Sequence, residues 1–413
     1  MSDPRDSSNR LVPPQEALAI ILARTPRLGV ERVALAAAAE RVLAEDVLAE
    51  EDMPPFPAAT MDGFAVVSGD DAPRRRLVGE QLAGYVAGLR VGPGQAARIT
   101  TGSPLPPGAD AVIQLELVDE QDGAITLHRP VPPGTNIRPV GADLRRGERV
   151  LTAGMVLGPA EVGVLAGLGI TAVSVYRRPR VAVLTTGDEL VDPGEPPGPG
   201  QIRDSNRFSL AAAVARARCD IALVSRVRDV QADLRRMMEA GLAQADVLIT
   251  SGGVSMGKLD LVKGLIEELG EVHLRRLFIK PGKPFHFATG RRAGAAGVVP
   301  LLFGLPGNPV SSLVAFELLV RPALLTMQGV VAWQRLRVPV VLSHDIVAAE
   351  DRIEYQRGVV SVDAGRLVAR NTGAQHSARL ASLVGANALL ILPPRPAPYR
   401  AGEQIEALLL DSA

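Results

Sequence analysis

DVLITSGGVSMGKLDLVKGLIEELGEVHLRRLFIKPGKP, residues Asp246–Pro284, decides the fold. Val247–Thr250 is an unbroken apolar and β-branched run that predicts a buried strand, Ser251-Gly252-Gly253 a turn, and Leu259–Leu269 a helix. The two glycines allow φ > 0 and let a ligand approach the backbone, while the N–H groups entering a helix have no intrahelical acceptor. A strand, glycine turn and helix in this order suits an anion. Many αβ loops carry two glycines only to turn, so the neighbours matter. Asp260 stands just inside the helix, and Lys280-Pro281-Gly282-Lys283-Pro284 follows the next strand. An acid for a metal and two ammonium groups then flank one phosphate-sized hole.

The alternation continues on both sides. Val181–Thr185, Ile221–Val227 and Val299–Phe303 read as strands. Ser205–Ala217 (with Asp204 or Ser205 as cap), Gln231–Leu242 and Val310–Met327 read as helices. This predicts a doubly wound, mostly parallel α/β domain over residues 179–329. The loops at Gly187, Gly252 and Gly307 all follow strands, and open α/β sheets bind ligands at the carboxyl ends of their strands, so the three should share one rim. Three acids stand near that rim: Glu189, Asp229 and Asp260. Any one of them is explained by the dipole of a helix start. Together they point to a hard-cation site, Mg²⁺ with a phosphate. Pro306-Gly307-Asn308-Pro309 is either a turn that ends a strand and starts a helix or a second backbone-lined anion seat.

The remaining chain has a different texture. Pro13–Ala23 reads as a helix and Val33–Val47 carries a second apolar pattern. These belong to a discontinuous, helical N-terminal domain, residues 11–50 plus 141–178. Between its halves, short β-rich runs (Arg98–Thr101, Ala111–Val118, Ala124–Leu127) alternate with Gly-Pro turns, which predicts a β-rich insert over 51–140. Within it Met61-Asp62-Gly63-Phe64 reads as an exposed turn after a proline-stiffened stretch. Residues 330–413 are β-rich again and predict a C-terminal β-barrel.

Bulk composition narrows the function. The 413 residues carry 45 basic and 45 acidic groups, so no global field favours nucleic acid or an anionic membrane. Aromatics at 3% leave few platforms for stacking bases. A single cysteine, Cys219, excludes an internal disulfide or multi-thiolate metal site. The start, MSDPRDSSNR, is polar, and no run reads as a membrane span, so the expectation is a cytoplasmic protein. The five histidines are scattered, and neither a nucleophile elbow nor a Walker sequence is present. Lysine is the exception to the even composition: Lys258, Lys263, Lys280 and Lys283 are the only ones in the chain. Lys263 reads as a solvated helix residue. Lys280 and Lys283 flank a Pro-Gly turn that would aim two compact charges at one point, which suits a small tetrahedral dianion better than a planar guanidinium does.

Seven motifs in order, MPPFPAATMDGFAV, RITTGSPLPPGADAV, VGADLRRGE, TTGDEL, ITSGGVSMGKLD, KPGKPF and LPGNPVSS, make the chain resemble the molybdopterin molybdenumtransferases, that is, bacterial MoeA and the gephyrin E domain. The resemblance covers nearly the whole chain. It implies insertion of molybdate into adenylylated molybdopterin with Mg²⁺ and release of AMP, by a homodimer whose site is shared between the α/β domain of one subunit and the β insert of the other. Carried over by position, it implies catalytic roles for Asp62, Thr101, Asp143, Glu189, Asp229, Asp260 and Lys280, with Glu189, Asp229 and Asp260 near the metal. It implies substrate-binding roles for Ser251, Gly252, Gly253, Ser255, Lys283 and Pro284, and for Pro306, Gly307, Asn308, Pro309, Ser311 and Arg357. Arg276 stands where the bacterial pattern has lysine. Ser377 and Ser382 are rivals for one role within GAQHSARLASLVGAN. The substrate's own dithiolene sulfurs would hold molybdenum, so the protein need supply no thiolates. Two other readings are a molybdopterin adenylyltransferase, which resembles residues 180–329 alone, and a non-catalytic, gephyrin-like scaffold.

Overall fold

Val181 and Val183 of the strand Arg180–Thr186 (β1) enter one buried cluster, and Ala182 and Leu184 enter another, so both faces of the sheet are covered. Five more strands follow in the chain: Asp220–Val227 (β2), Val247–Ser251 (β3), Gly270–Arg276 (β4), Pro284–Gly290 (β5) and Leu301–Leu305 (β6). Their order across the sheet is β2-β1-β3-β6-β5-β4. The first four run parallel, and β5 and β4 add an antiparallel edge. The helix Asn206–Arg216 (α1) covers one face with Leu210 and Val214. Gln231–Gln244 (α2) and Leu261–Leu269 (α3) cover the other with Leu234, Met238, Val262, Leu265 and Ile266. The architecture is therefore the doubly wound, mostly parallel α/β type. β6 starts two residues later than Val299 because Pro300 has no N–H to give to a ladder.

The structure, a computed structural model, describes residues 10–253, 261–294 and 297–410. The chain divides into two units, one of Met1–Ala44, Gly154–Leu157 and Val173–Ala413, the other of Glu45–Ala153 and Gly158–Ala172. In the first, the helix Pro14–Leu22 adds Ala17 and Ile21 to the larger core cluster. The run Pro309–Met327 is helical throughout but opens into a π turn at Phe316–Val320. Pro322 lies one turn on and has no N–H for the ladder, and the wider turn absorbs that defect. By length and composition this helix could cross a membrane, yet 72% of it is buried inside the protein as a core helix.

A closed five-stranded β-barrel ends the first unit. Its strands are Arg337–Leu342 (β7), Ile353–Asp363 (β8), Arg366–Asn371 (β9), Ala388–Leu392 (β10) and Gln404–Leu409 (β11), ordered β8-β9-β7-β11-β10 and closed by pairing of β10 with β8. The lysine turn is sewn to this barrel. Ile279–Lys280 pairs in parallel with β8, Ile279 opposite Ile353 and Lys280 opposite Glu354.

The second unit is built around a six-stranded sheet ordered Ala111–Gln114, Gly63–Val66, Gln95–Ile99, Arg74–Gln81, Ala124–Leu127 and Val118–Gln121. Phe64, Val66, Ala96, Ile113 and Ile125 form its core. The run read as Ala111–Val118 is two strands, broken by a 3-10 turn at Leu115–Leu117.

Candidate functional site

β1, β3 and β6 end at Thr186, Ser251 and Leu305, and their loops open on one cavity of about 680 Å³. Gly187, Gly252 and Gly307 all line it, together with Glu189, Asp229 and Asn308. The rim foreseen from the strand order is therefore there. Gly252 has φ +101°, and a Cβ on it would lie 2.3 Å from the Thr186 carbonyl oxygen, so only glycine fits. A Cβ on Gly307 would meet only the Gly252 Cα, at 3.6 Å. The two loops thus face each other through bare backbone, open to a flat or phosphate-bearing ligand.

Asn206, which the sequence did not single out, locks these loops together. Its Nδ2 donates to Ser251 Oγ at 2.9 Å and to the Gly307 carbonyl at 2.7 Å. Ser251 Oγ also donates to the Pro306 carbonyl at 3.0 Å and lies 3.1 Å from Ser312 Oγ. Ser251 is buried, so its part is to fix the turn rather than to offer a free hydroxyl. Asp204 caps α1 by accepting the Arg207 N–H at 3.1 Å and takes the Thr185 hydroxyl at 2.5 Å.

Of the three rim acids, Glu189 and Asp229 line the cavity. Asp229 accepts the Thr186 hydroxyl, and its own N–H donates to Asp188 at 3.2 Å. Neither carboxylate is paired with an arginine or lysine among the described residues. Asp260 and Ser255 lie outside those residues, and within them no three His, Cys, Asp or Glu side chains gather closely enough to hold a metal. Mg²⁺ needs only one or two carboxylates when phosphate and water complete its shell. Two uncompensated carboxylates beside a backbone anion seat fit that requirement.

A second cavity, about 630 Å³, adjoins the first and shares Pro284, Asn308 and Ser311 with it. Lys280 and Lys283 both line it, opposite Glu354, Gln356 and Asn371 of the barrel. Lys280 Nζ lies 3.4 Å from Glu354 Oε2. Ser377 is also on this wall, and its hydroxyl accepts from Asn308 Nδ2 at 3.0 Å. Arg276 ends β4 opposite Pro284 in register. Arg357 and Ser382 sit deeper, in neither cavity. Arg357 is fully buried, its Nε donates to Ser382 Oγ at 3.0 Å, and burial pushes its pKa down to about 10. Its Nη1 has no hydrogen-bond partner among the described residues.

The two serines are thus separable. Ser382→Ala should cost about 1–3 kcal/mol of stability by stripping a buried guanidinium of an acceptor. Ser377→Ala should cost under about 1 kcal/mol, because Asn308 is exposed enough to turn to water. Urea unfolding of both variants measures this, and equal losses would contradict the placement.

Asp62, Thr101 and Asp143 belong to the other unit. There the Thr101 backbone N–H and hydroxyl both donate to Asp62 Oδ1, at 2.7 and 2.9 Å, and hold its carboxyl below the usual carboxylate range. The motifs MDG and TTG therefore make one exposed element. Asp143 pairs with Arg138.

Three family models match the chain in order: the MoeA N-terminal region (domain I and II) over residues 12–169, the "Probable molybdopterin binding domain" over 182–326, and the MoeA C-terminal region (domain IV) over 339–410. The molybdopterin molybdenumtransferase of Haemophilus influenzae is 36% identical over 91% of this chain and 92% of its own. That of Nostoc is 36% identical over 92% of this chain and 88% of its own. Gephyrin of Dictyostelium discoideum is 34% identical over 99% of this chain, which spans 64% of that protein. The crystal structure of the molybdopterin biosynthesis moeA protein from Pyrococcus horikoshii OT3 superposes with a TM-score of 0.80 at 31% identity, covering 97% of this chain and 100% of that one.

Proposed function

The chain belongs to the molybdopterin molybdenumtransferase family, and from that premise we propose that it inserts molybdate into adenylylated molybdopterin with Mg²⁺ and releases AMP. The observation that carries this reading is the pair of adjoining cavities, one walled by bare backbone and by the carboxylates of Glu189 and Asp229, the other by two lysines, meeting at Pro284, Asn308 and Ser311. The pterin nucleotide takes the first and molybdate the second. Bound Mg²⁺ would neutralise the pyrophosphate as AMP leaves, with Glu189, Asp229 and Asp260 as its protein ligands. Gly252 and Gly307 give the nucleotide close access to backbone donors, and Asn206 keeps the two loops at a fixed spacing.

Lys280 and Lys283 hold molybdate through compact ammonium groups, with Ser311 and Ser377 as neutral donors. Arg357 adds positive charge from beneath rather than a direct contact. The working unit is a homodimer, with Asp62, Thr101 and Asp143 of one subunit completing the site of the other. The adenylyltransferase alternative accounts for residues 180–329 alone and leaves the matched regions on either side without a role.

The lysines supply the test. Lys283→Arg keeps the charge but replaces a point with a fork. The molybdate concentration at half-maximal rate should rise about tenfold or more, the loss of roughly one good hydrogen bond to a charged group, with pterin-nucleotide affinity unchanged. Wild-type molybdate dependence in both Lys283→Arg and Lys280→Arg would remove molybdate from this cavity.

A further inference from the structure

Among the described residues, Glu354 is the only carboxylate that lines the lysine-turn cavity. Its residue is 2% exposed, and its Oε2 accepts the Ala349 N–H at 2.6 Å and faces Lys280 Nζ at 3.4 Å. An acid in the wall of a cavity meant for an anion works against binding. A carboxylate that served only to anchor the neighbouring loop could be a neutral amide of the same shape. Its charge therefore needs a reason.

The chemistry of the proposed reaction supplies one. When a dithiol meets molybdate, two S–H bonds break and two Mo–S bonds form. One oxygen leaves molybdenum as water, carrying both protons. Charge and oxidation state do not change, so the protein has only to move protons from sulfur to the departing oxygen. Proton transfer of this kind needs a group within reach whose charge is steadied in the ionised form.

We propose that Glu354 is a catalytic residue that accepts a thiol proton and delivers it to the leaving oxygen, with Lys280 stabilising the carboxylate between transfers. This rests on the molybdate reading of the cavity. Lys283, Arg352 and His376 also face the space, and Arg357 stands on the same strand behind it. Lysine and arginine side chains are hydrogen-bond donors only and offer no acceptor for the thiol proton. His376 is exposed, whereas Glu354 is buried in the cavity wall and held by the Ala349 N–H.

The test is Glu354→Gln, which keeps the acceptor for the Ala349 N–H and removes the charge. Molybdate-dependent AMP release at saturating molybdate should fall about 100-fold or more. Binding of sodium molybdate, followed by calorimetry in the presence of the pterin nucleotide, should be unchanged or tighter because a negative charge has gone. Glu354→Asp, which keeps the acid but withdraws it, should show the same split and serves if the glutamine variant does not fold. Turnover within threefold of wild type would overturn the proposal. So would a parallel loss of turnover and molybdate affinity, since that is what anchoring Lys280 alone predicts. A wild-type protein with no molybdate-dependent turnover would instead overturn the molybdate reading, and the proposal with it.

Discussion

Asp229→Asn should lower molybdate-dependent AMP release about 100-fold or more while leaving the fold intact. The carboxylate lines the nucleotide cavity, accepts one hydroxyl and has no basic partner among the described residues, so its charge is available to a cation. A metal that stabilises a leaving phosphate lowers the barrier by several kcal/mol, and about 1.4 kcal/mol is tenfold in rate. Asparagine keeps an oxygen for the Thr186 hydroxyl, so the cost in stability should stay under about 1 kcal/mol. The decisive readout is a Mg²⁺ titration of the rate. The variant should need far more Mg²⁺ or never recover. Wild-type turnover at ordinary Mg²⁺ would remove Asp229 from the metal site and leave it as a strand-end residue that steadies Thr186.

The second large effect is recovery rather than loss. Asp62→Asn and Asp229→Asn should each be nearly inactive, yet a mixture should regain activity if each site draws Asp62 from one subunit and Asp229 from the other. Random exchange makes half the dimers mixed, and each mixed dimer has one intact site of two, so about a quarter of wild-type activity should return. Thr101 grips Asp62 through two hydrogen bonds, so the asparagine variant keeps a partner and should fold. No recovery, with subunit exchange verified, would mean that both residues serve a site within one chain.

Much of the α/β domain was legible because its strands are short, continuous apolar runs closed by glycine turns. VLIT before Ser251-Gly252-Gly253 could hardly be read otherwise, and the rim followed from strand direction alone. The antiparallel edge was not legible. In β5, Phe285 and Phe287 bury on one face and Ala288 on the other, a mixed pattern that the adjacent lysine turn obscured.

Depth was the second thing the sequence could not supply. Arg357 and Ser382 sit in a motif-bearing region yet lie beneath the cavity wall, and burial is set by how the barrel closes, not by local spacing. Asn206 and Glu354 were missed for a related reason. Each acts on residues distant in sequence, Asn206 on Ser251 and Gly307, and Glu354 on Lys280. An amide at a helix start and an acid near the start of a strand gave no separate signal. The lysine cluster was the useful exception, because rarity made two positions visible before any geometry was known.

The central claim is that this chain couples molybdate insertion to loss of the nucleotide. Incubating it with adenylylated molybdopterin and Mg²⁺, with and without molybdate, and measuring free AMP tests that claim most directly. AMP should appear on addition of molybdate, in step with molybdenum bound to the pterin. AMP release that is equal without molybdate, or none under either condition, would contradict it.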